Sequence, residues 1–333
     1  MAGYVLKRLG LAVAVALAVS MIAFLLLRLS GDPAIAIAGE GARSEDIELI
    51  RKTYGFDRPL PIQYGDWLGR TLTGDFGESI YFKTPAAPLI FGKLATTMLL
   101  GLLSLAFALA ISIPLGVAAA VYRNSWIDRL CLALAVLGQA LPNFFFALLL
   151  IMLFSISLRW LPVSGSGTWQ HFVMPTIALG YYAAPAFMRL IRAGMIEVLE
   201  ADYIRTARAK GLPASKVIFK HALRNAVVPV VALAAVQLGF LLGGSVVIET
   251  IFALDGLGYL AYQSITYKDF PVIQSIVLLL SVIYVMLRLA SDIADFERYR
   301  YQLDDAVTDG KLDPAFTIFN RFQQRSRERM KFA

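Results

Sequence analysis

An all-α integral membrane protein with six transmembrane helices is what this sequence predicts, and three observations predict it. Hydrophobic residues fill 58% of the 333 positions, charged residues only 17%, and mean hydropathy is +0.65. A soluble domain carries about 25% charged and about 45–50% apolar residues. Six stretches are free of charge over lengths that approach or exceed the roughly 20 helical residues needed to cross a bilayer. Basic residues then gather at alternate ends of these stretches, the bias expected of a multi-pass chain.

The same numbers exclude other classes. Low charge argues against disorder, and the single cysteine, Cys131, against a disulfide scaffold. Two histidines, His171 and His221, lie too far apart for a dedicated metal cage. A net charge of +7 would suggest nucleic acid in a soluble protein. In a membrane protein it reads as basic cytoplasmic loops, so the lipid bilayer and no nucleic acid is the expected surrounding.

The uncharged runs are 9–27 (19 residues), 94–122 (29), 130–158 (29), 172–188 (17), 225–248 (24) and 270–287 (18). They divide the chain into a first unit, 1–93, with a helix at about 9–29 and a long periplasmic loop. A core, 94–293, follows, with helices at about 95–121, 130–156, 172–190, 226–248 and 271–291 and a cytoplasmic loop at 193–224. Residues 294–333 form a cytoplasmic tail. With both termini inside, 21 of the 31 basic residues are cytoplasmic, and the two short outer loops hold one each, Arg159 and Lys268. A cleaved signal peptide is the alternative for the N-terminus, from Lys7-Arg8 and the small-residue pattern Ala34-Ile35-Ala36. The apolar run of 19 exceeds the roughly 7–15 of such peptides.

The long outer loop carries its own helix signals. Ser44 can cap a helix with Glu45 and Asp46 in its first turn, Arg51 and Lys52 in its last, and a stop at Gly55. A second helix from Pro61 to near Gly74 sets Tyr64, Trp67, Leu68 and Leu72 on one face. That loop serves either as a lid on the spans or as a docking surface.

Within the spans, Pro114, Pro142, Pro175, Pro185 and Pro229 interrupt helix hydrogen bonding, which suits a moving pathway and also occurs in static bundles. Gly239 and Gly243, followed by Gly244 and Ser245, allow close helix contact. Deep charges are scarce, unlike in ion-coupled carriers. Neutral polar residues take their place: Gln139, Asn143, Gln237, Gln274 and Ser281 either line a hydrophilic passage or bond between helices. No phosphate-binding loop is present, since Gly92-Lys93 and Gly310-Lys311 lack the rest of that pattern. Ser-Gly-Ser-Gly at 164–167 reads as a flexible outer turn. No catalytic site and no metal site emerge.

The inner loop 189–224 is far longer than the roughly 2–8 residues that join most bundle helices. Its first half is helix-compatible to Lys210, Gly211-Leu212-Pro213 stops that helix, and a second can start with Ser215 as N-cap. The result is a basic helix-turn-helix knob, or else a patch facing anionic lipid.

Asp202-Tyr203-Ile204-Arg205-Thr206-Ala207-Arg208-Ala209-Lys210-Gly211, then His221-Ala222-Leu223-Arg224-Asn225 and Pro229, resembles the EAA loop of type I ABC importer permeases. In particular the chain resembles the first permease subunit of the dipeptide/oligopeptide/nickel family. The likeness includes Gly31-Asp32-Pro33, Gly55-Phe56-Asp57-Arg58-Pro59, Gly74-Asp75-Phe76-Gly77, Glu249-Thr250-Ile251-Phe252, Gly256-Leu257-Gly258 and Asp269-Phe270-Pro271. Three departures stand out: Arg205 holds the position of the general motif's Glu, as in peptide-class members, the later I-x-L-P is only partly matched by Leu223, and the tail lacks a short Asp-Pro-Arg ending.

The resemblance implies the type I ABC importer fold in a bacterial inner membrane. It implies a heterodimer with a second permease subunit, two ABC ATPase subunits that bind the ATP and magnesium, and a periplasmic substrate-binding protein. This chain itself would hold no cofactor. The coupling loop would comprise Arg205, Thr206, Ala207, Arg208, Lys210 and Gly211, with Ala207 and Ala209 allowing close approach of an ATPase. The transported solute would be a small peptide or a related compound. A carrier working alone, or a membrane scaffold or enzyme, are the rival readings.

Overall fold

The structure, a computed structural model, describes residues 2–39 and 41–308. Among these residues the only β pairing is one bridge, between Glu78 and Pro85. Helix α1 (Ala2–Ser30) leads into three short helices, α2 (Pro33–Ala38), α3 (Ser44–Thr53) and α4 (Leu60–Leu72). Next come α5 (Ala86–Val121), α6 (Trp126–Ala140) and α7 (Asn143–Leu150), which runs into a π-helical turn, Ile151–Ser157. After α8 (Gln170–Leu199) and α9 (Asp202–Ala209), a second π-helical turn, Lys216–Ala222, leads into α10 (Leu223–Ala226). Helices α11 (Val228–Phe252), α12 (Leu257–Thr266) and α13 (Phe270–Thr308) complete the order.

Four of the expected spans coincide with helices long and apolar enough to cross a membrane, lying in α1, α5, α11 and α13. The expected third span is the pair α6–α7, bent by 98° and long enough if taken as one. The bend has a local cause: Pro142 has no N–H to donate back into α6, and at the bend the Leu141 carbonyl accepts from the Tyr181 hydroxyl at 2.5 Å. The expected fourth span lies in α8, which has 30 residues but is less apolar. It packs against α5, α6, α7 and α11, so much of its surface meets protein rather than lipid.

Small residues let α5 and α8 touch. A methyl group on Gly180 would lie 2.5 Å from the Ser104 carbonyl oxygen, and one on Gly116 would lie 2.9 Å from that of Met188. The Ser112 hydroxyl crosses the same seam to the Ala184 carbonyl at 2.7 Å. Helix α11 approaches α13 through Gly239, where a Cβ would meet the Tyr284 ring at 2.5 Å. Gly243, its expected partner, has nothing within 4 Å and faces outward. At the other side α1 packs on α13, with Arg8 and Asp292 paired at 3.1 Å.

Helices α2 to α4 form a cap at one end of the bundle. Tyr64 shares a 2.7 Å hydrogen bond with Ser20 of α1, and Phe24 sits edge-on to Tyr64 with centroids 5.5 Å apart. The segment is therefore packed as a lid; Leu72, expected on the same face, is exposed. Two expected N-caps shift. Ser44 is already the first residue of α3, with Arg43 in the cap position and no side-chain cap bond. Ser215 is likewise helical and makes no side-chain cap bond, because the helix already begins at Ala214 and the preceding Pro213 carbonyl accepts from the Val217 N–H at 3.1 Å.

Helix boundaries also differ from the charge-free runs. Helix α5 begins well before Lys93, which is held by Asp255, and α8 continues past Arg192, which is held by Asp128. Helix α13 crosses the expected boundary at 294 without a break, and the remainder of the tail, 309–333, lies outside the described residues.

Candidate functional site

At the end of the bundle opposite the cap, α8 gives way to α9 through Ala201, whose extended backbone (ψ 149°) turns the chain. Helix α9 is amphipathic, and its Ile204 and Ala207 sink into the main core beside Met195, Val217 and Ala222. Its other face carries Arg205, Thr206, Arg208 and Ala209 into the open, followed by Lys210. The exit is a glycine turn. Gly211 has φ +74°, its N–H donates to the Arg208 carbonyl at 2.9 Å, and Leu212 packs back on the core. Such a left-handed C-terminal turn suits glycine because it has no Cβ to strain.

One side-chain bond ties this knob to the bundle, from Asn225 to the Tyr203 hydroxyl at 2.8 Å, and within α9 Thr206 donates back to the Asp202 carbonyl at 3.1 Å. Arg205 reaches Asp202 at 3.1 Å, but both are exposed, and an exposed pair of this kind leaves the guanidinium able to exchange partners. Chemically the exposed face of the knob is cationic, made by Arg205, Arg208 and Lys210. Ala207 does not belong to that surface: it is packed into the chain's own core, and the small exposed residue is Ala209.

The five neutral polar residues do not converge on one site. Gln139 and Asn143 flank the bend between α6 and α7, with Gln139 accepting from Arg189 at 3.1 Å and Asn143 Oδ1 buried without a partner. Ser281 donates to the Val277 carbonyl of its own helix at 2.6 Å. Gln237 is half-buried in α11. Gln274 lies under the cap, in the wall of a cavity there.

Sequence reading missed the buried carboxylates. Glu249 of α11 is fully buried; its oxygens accept from the Thr97 hydroxyl at 2.8 Å and from the Gly258 and Tyr259 N–H groups at 2.7 and 3.1 Å. Asp269, also fully buried, accepts from the Ser79 hydroxyl and from the Ile80 N–H at 3.1 Å. Asp128 takes both arms of Arg192 at 2.7 Å. Two of the three sit in stretches the sequence already singles out, Glu249-Thr250-Ile251-Phe252 and Asp269-Phe270-Pro271. That signal marked the positions and could not supply their partners.

Residues 112–295 match the family described as binding-protein-dependent transport system inner membrane component, and residues 1–85 match its N-terminal counterpart. The glutathione transport system permease protein GsiC of Salmonella typhimurium (strain LT2) is 42% identical over 294 residues, 88% of this chain and 96% of that one. GsiC of Escherichia coli (strain K12) matches at the same identity and coverage. The chain belongs to this family. It is an ABC importer inner-membrane permease of the peptide/nickel family.

The permease also shares its fold with solved inward-facing conformations of the MetNI methionine ABC transporter. One such structure aligns with a TM-score of 0.52 and 23% identity over 62% of the permease and 95% of that chain. A second aligns at 0.51 and 21% with the same coverage. Residues 286–333 additionally match the tail specific protease N-terminal domain, mostly outside the described residues. The permease is thus a multi-pass transport component of a binding-protein-dependent importer.

Proposed function

We propose that the permease is one half of a heterodimeric pore that carries small peptides, or a peptide-like solute, across the inner membrane at the expense of ATP. In this reading the chain crosses the membrane six times, α8 included, with both termini and the α9 knob in the cytoplasm. A second permease completes the pore, an external binding protein delivers the solute, and two ATPase subunits bind the ATP and magnesium.

The observation that carries the coupling role is the knob itself: a short cationic helix docked by Ile204 and Ala207, ended by Gly211 at φ +74°, with Arg205, Arg208 and Lys210 exposed. Acidic groups on an ATPase would pair with these cations. Because the knob continues directly from α8 and its Tyr203 is bonded to Asn225 of α10, a push on it is passed to those helices. Its small exposed residue, Ala209, permits close approach. The solute class is supported by the relative's name, which gives glutathione as what the GsiC system transports.

Gly211→Pro tests the coupling role. Proline fixes φ near −65°, so the turn cannot keep its shape. The variant is expected to insert and to co-purify with the second permease, while solute-stimulated ATP hydrolysis and uptake fall to background. Normal uptake by that variant sinks the coupling role. Recovery of the native chain without any ATPase, and gradient-driven transport by it alone in liposomes, would favour the self-sufficient carrier.

A further inference from the structure

Helix α6 is fastened along its length to one face of α8. Tyr181, Pro185, Met188 and Arg192 recur along α8 at spacings of four, three and four, which puts them on one side of that helix. Each meets a different level of α6. Arg192 donates through both arms to Asp128 in the first turn, and Met188 is buried with Cys131 and Ala135. The Pro185 ring lies beside Gly138, and the Tyr181 hydroxyl donates to the Leu141 carbonyl at the helix end.

These contacts differ in strength. The small core shared by Met188, Cys131, Ala135 and Ala119 of α5 is separate from the main one, and three of its four buried side chains are small, so apolar packing there grips α6 weakly. The ion pair is the firm point. The Asp128 side chain is oriented by the Asn124 N–H at 3.0 Å and presents both oxygens to Arg192, each bond 2.7 Å long. Before the same turn Arg123 reaches Glu200 at 2.8 Å, but that pair is exposed and adds little. Glu200 precedes Ala201, where the chain turns into the knob, and Arg192 lies only about 12 Å further back along α8. At the other end of α6 the helix is broken: Pro142 has no N–H to continue it, and α7 leaves at 98°. The side of α6 turned from α8, with Trp126, Leu130 and Leu137, is exposed.

We propose that Asp128 and Arg192 are positioning residues of the transport cycle, a clamp that makes α6 follow α8 when an ATPase displaces the knob. The joint between Leu141 and Pro142 takes up the resulting change of angle against α7. The knob's motion then enters α6 at the end where the clamp sits, and without the clamp only small apolar side chains and the Tyr181 bond would pull α6 along. The inference rests on the coupling role proposed for the knob and extends it to two residues outside the 193–224 loop.

The test uses the purified importer with its ATPases in lipid nanodiscs, spin-labelled at exposed positions of a Cys131→Ser chain. Leu130→Cys with Glu197→Cys reports α6 against α8, and Leu130→Cys with Phe145→Cys reports α6 against α7. Between the nucleotide-free state and the state trapped with ATP and vanadate, the first distance should stay fixed and the second should change. A first distance that changes means that the clamp opens, and an unchanged second one means that no joint works there; either overturns the proposal. Asp128→Asn with Arg192→Met removes the clamp and leaves no buried charge unpaired. In that variant the first distance should change on trapping. Glutathione moved into proteoliposomes per ATP hydrolysed should fall by about fivefold or more, with assembly and hydrolysis retained. A merely structural pair would lower assembly, hydrolysis and uptake together, and that result, or a native ratio, overturns the proposal. If the native importer does not carry glutathione, the two distances decide alone. Gly211→Pro separates the clamp from the coupling reading. If it blocks uptake while the pair variant keeps the native ratio, only the clamp falls; normal uptake by Gly211→Pro removes the reading and the clamp's role with it.

Discussion

Glu249 of α11 and Thr97 of α5 are joined by a buried 2.8 Å hydrogen bond between residues 152 positions apart, and together they cap a third helix. Thr97 Oγ1 accepts from the Leu257 N–H at 2.8 Å while Glu249 Oε2 accepts from Gly258 and Tyr259. The first N–H groups of α12 are thus satisfied from two neighbouring helices, and a carboxylate sits where a helix N-terminus favours negative charge. Gly256 leaves the necessary room, since a Cβ there would lie 2.4 Å from Glu249 Oε2.

Removing this carboxylate should be costly. Glu249→Ala leaves two buried N–H groups and the Thr97 hydroxyl unpaired, and a loss of about 3 kcal/mol or more is expected. Thr97→Val removes one acceptor and one donor and should cost about 1–2 kcal/mol. Thermal unfolding in detergent, followed by loss of monodisperse protein, should rank Glu249→Ala below Thr97→Val and both below the native chain. A native-like midpoint for Glu249→Ala would show that the cap is dispensable.

The glycines divide into two groups by what surrounds them. Gly180→Ala drives a methyl group against the backbone oxygen of Ser104 in the central α5–α8 seam, where neither helix can yield cheaply. Destabilisation of about 1–3 kcal/mol is expected. Gly243→Ala meets nothing within the chain and should leave the stability of the isolated permease unchanged. Any effect of that second variant confined to the assembled importer would mark Gly243 as a contact with another subunit.

Much of the fold was readable because its signals are local. Charge-free runs locate the long helices, and Gly211-Leu212-Pro213 announces the end of α9 within three residues. What could not be read depends on distant partners. A criterion of uncharged residues cuts α5 short at Lys93 and α8 short at Arg189. In the folded chain Asp255 and Asp128 hold Lys93 and Arg192, and the helices run through. Glu249 was invisible as a buried charge for the same reason, since its partners lie on α5 and α12. Ala207 entered through the resemblance, which does not say which face of a short basic helix meets the core, and in the structure its side chain is buried.

The Asp128–Arg192 pair ties the start of α6 to α8 by two parallel 2.7 Å bonds, with the Asp128 side chain only 4% exposed. Asp128 also accepts from the Asn124 N–H at 3.0 Å. Asp128→Ala strands a guanidinium that is mostly buried, and a cost of about 3 kcal/mol is expected, the low end for a broken buried pair. Replacing both partners, as Asp128→Ala with Arg192→Met, should recover part of that loss because no unpaired charge remains. A double-mutant cycle by chemical denaturation in micelles measures the coupling; a coupling near zero would mean the two residues act independently.

Asp32 gives the cap a dependence on acid. Burial by itself would raise its carboxyl pKa, but the Arg51 hydrogen bond, the Ala34 N–H and the charges of Arg51 and Arg28 outweigh that and hold it below the ordinary value. A carboxyl whose folded pKa is depressed adds stability that is fully present above its unfolded pKa, about 4, and is lost as pH falls through the folded one. The Arg51 and Asp32 side chains are 35% and 29% exposed, so solvent screening keeps the contribution modest. Hydrogen exchange over α2 and α3 should therefore be slow and flat from pH 7 down to about 4, once corrected for intrinsic rates, and lose protection below that. Asp32→Asn should remove the acid-dependent step, and a step of unchanged size in that variant would assign it to another carboxylate.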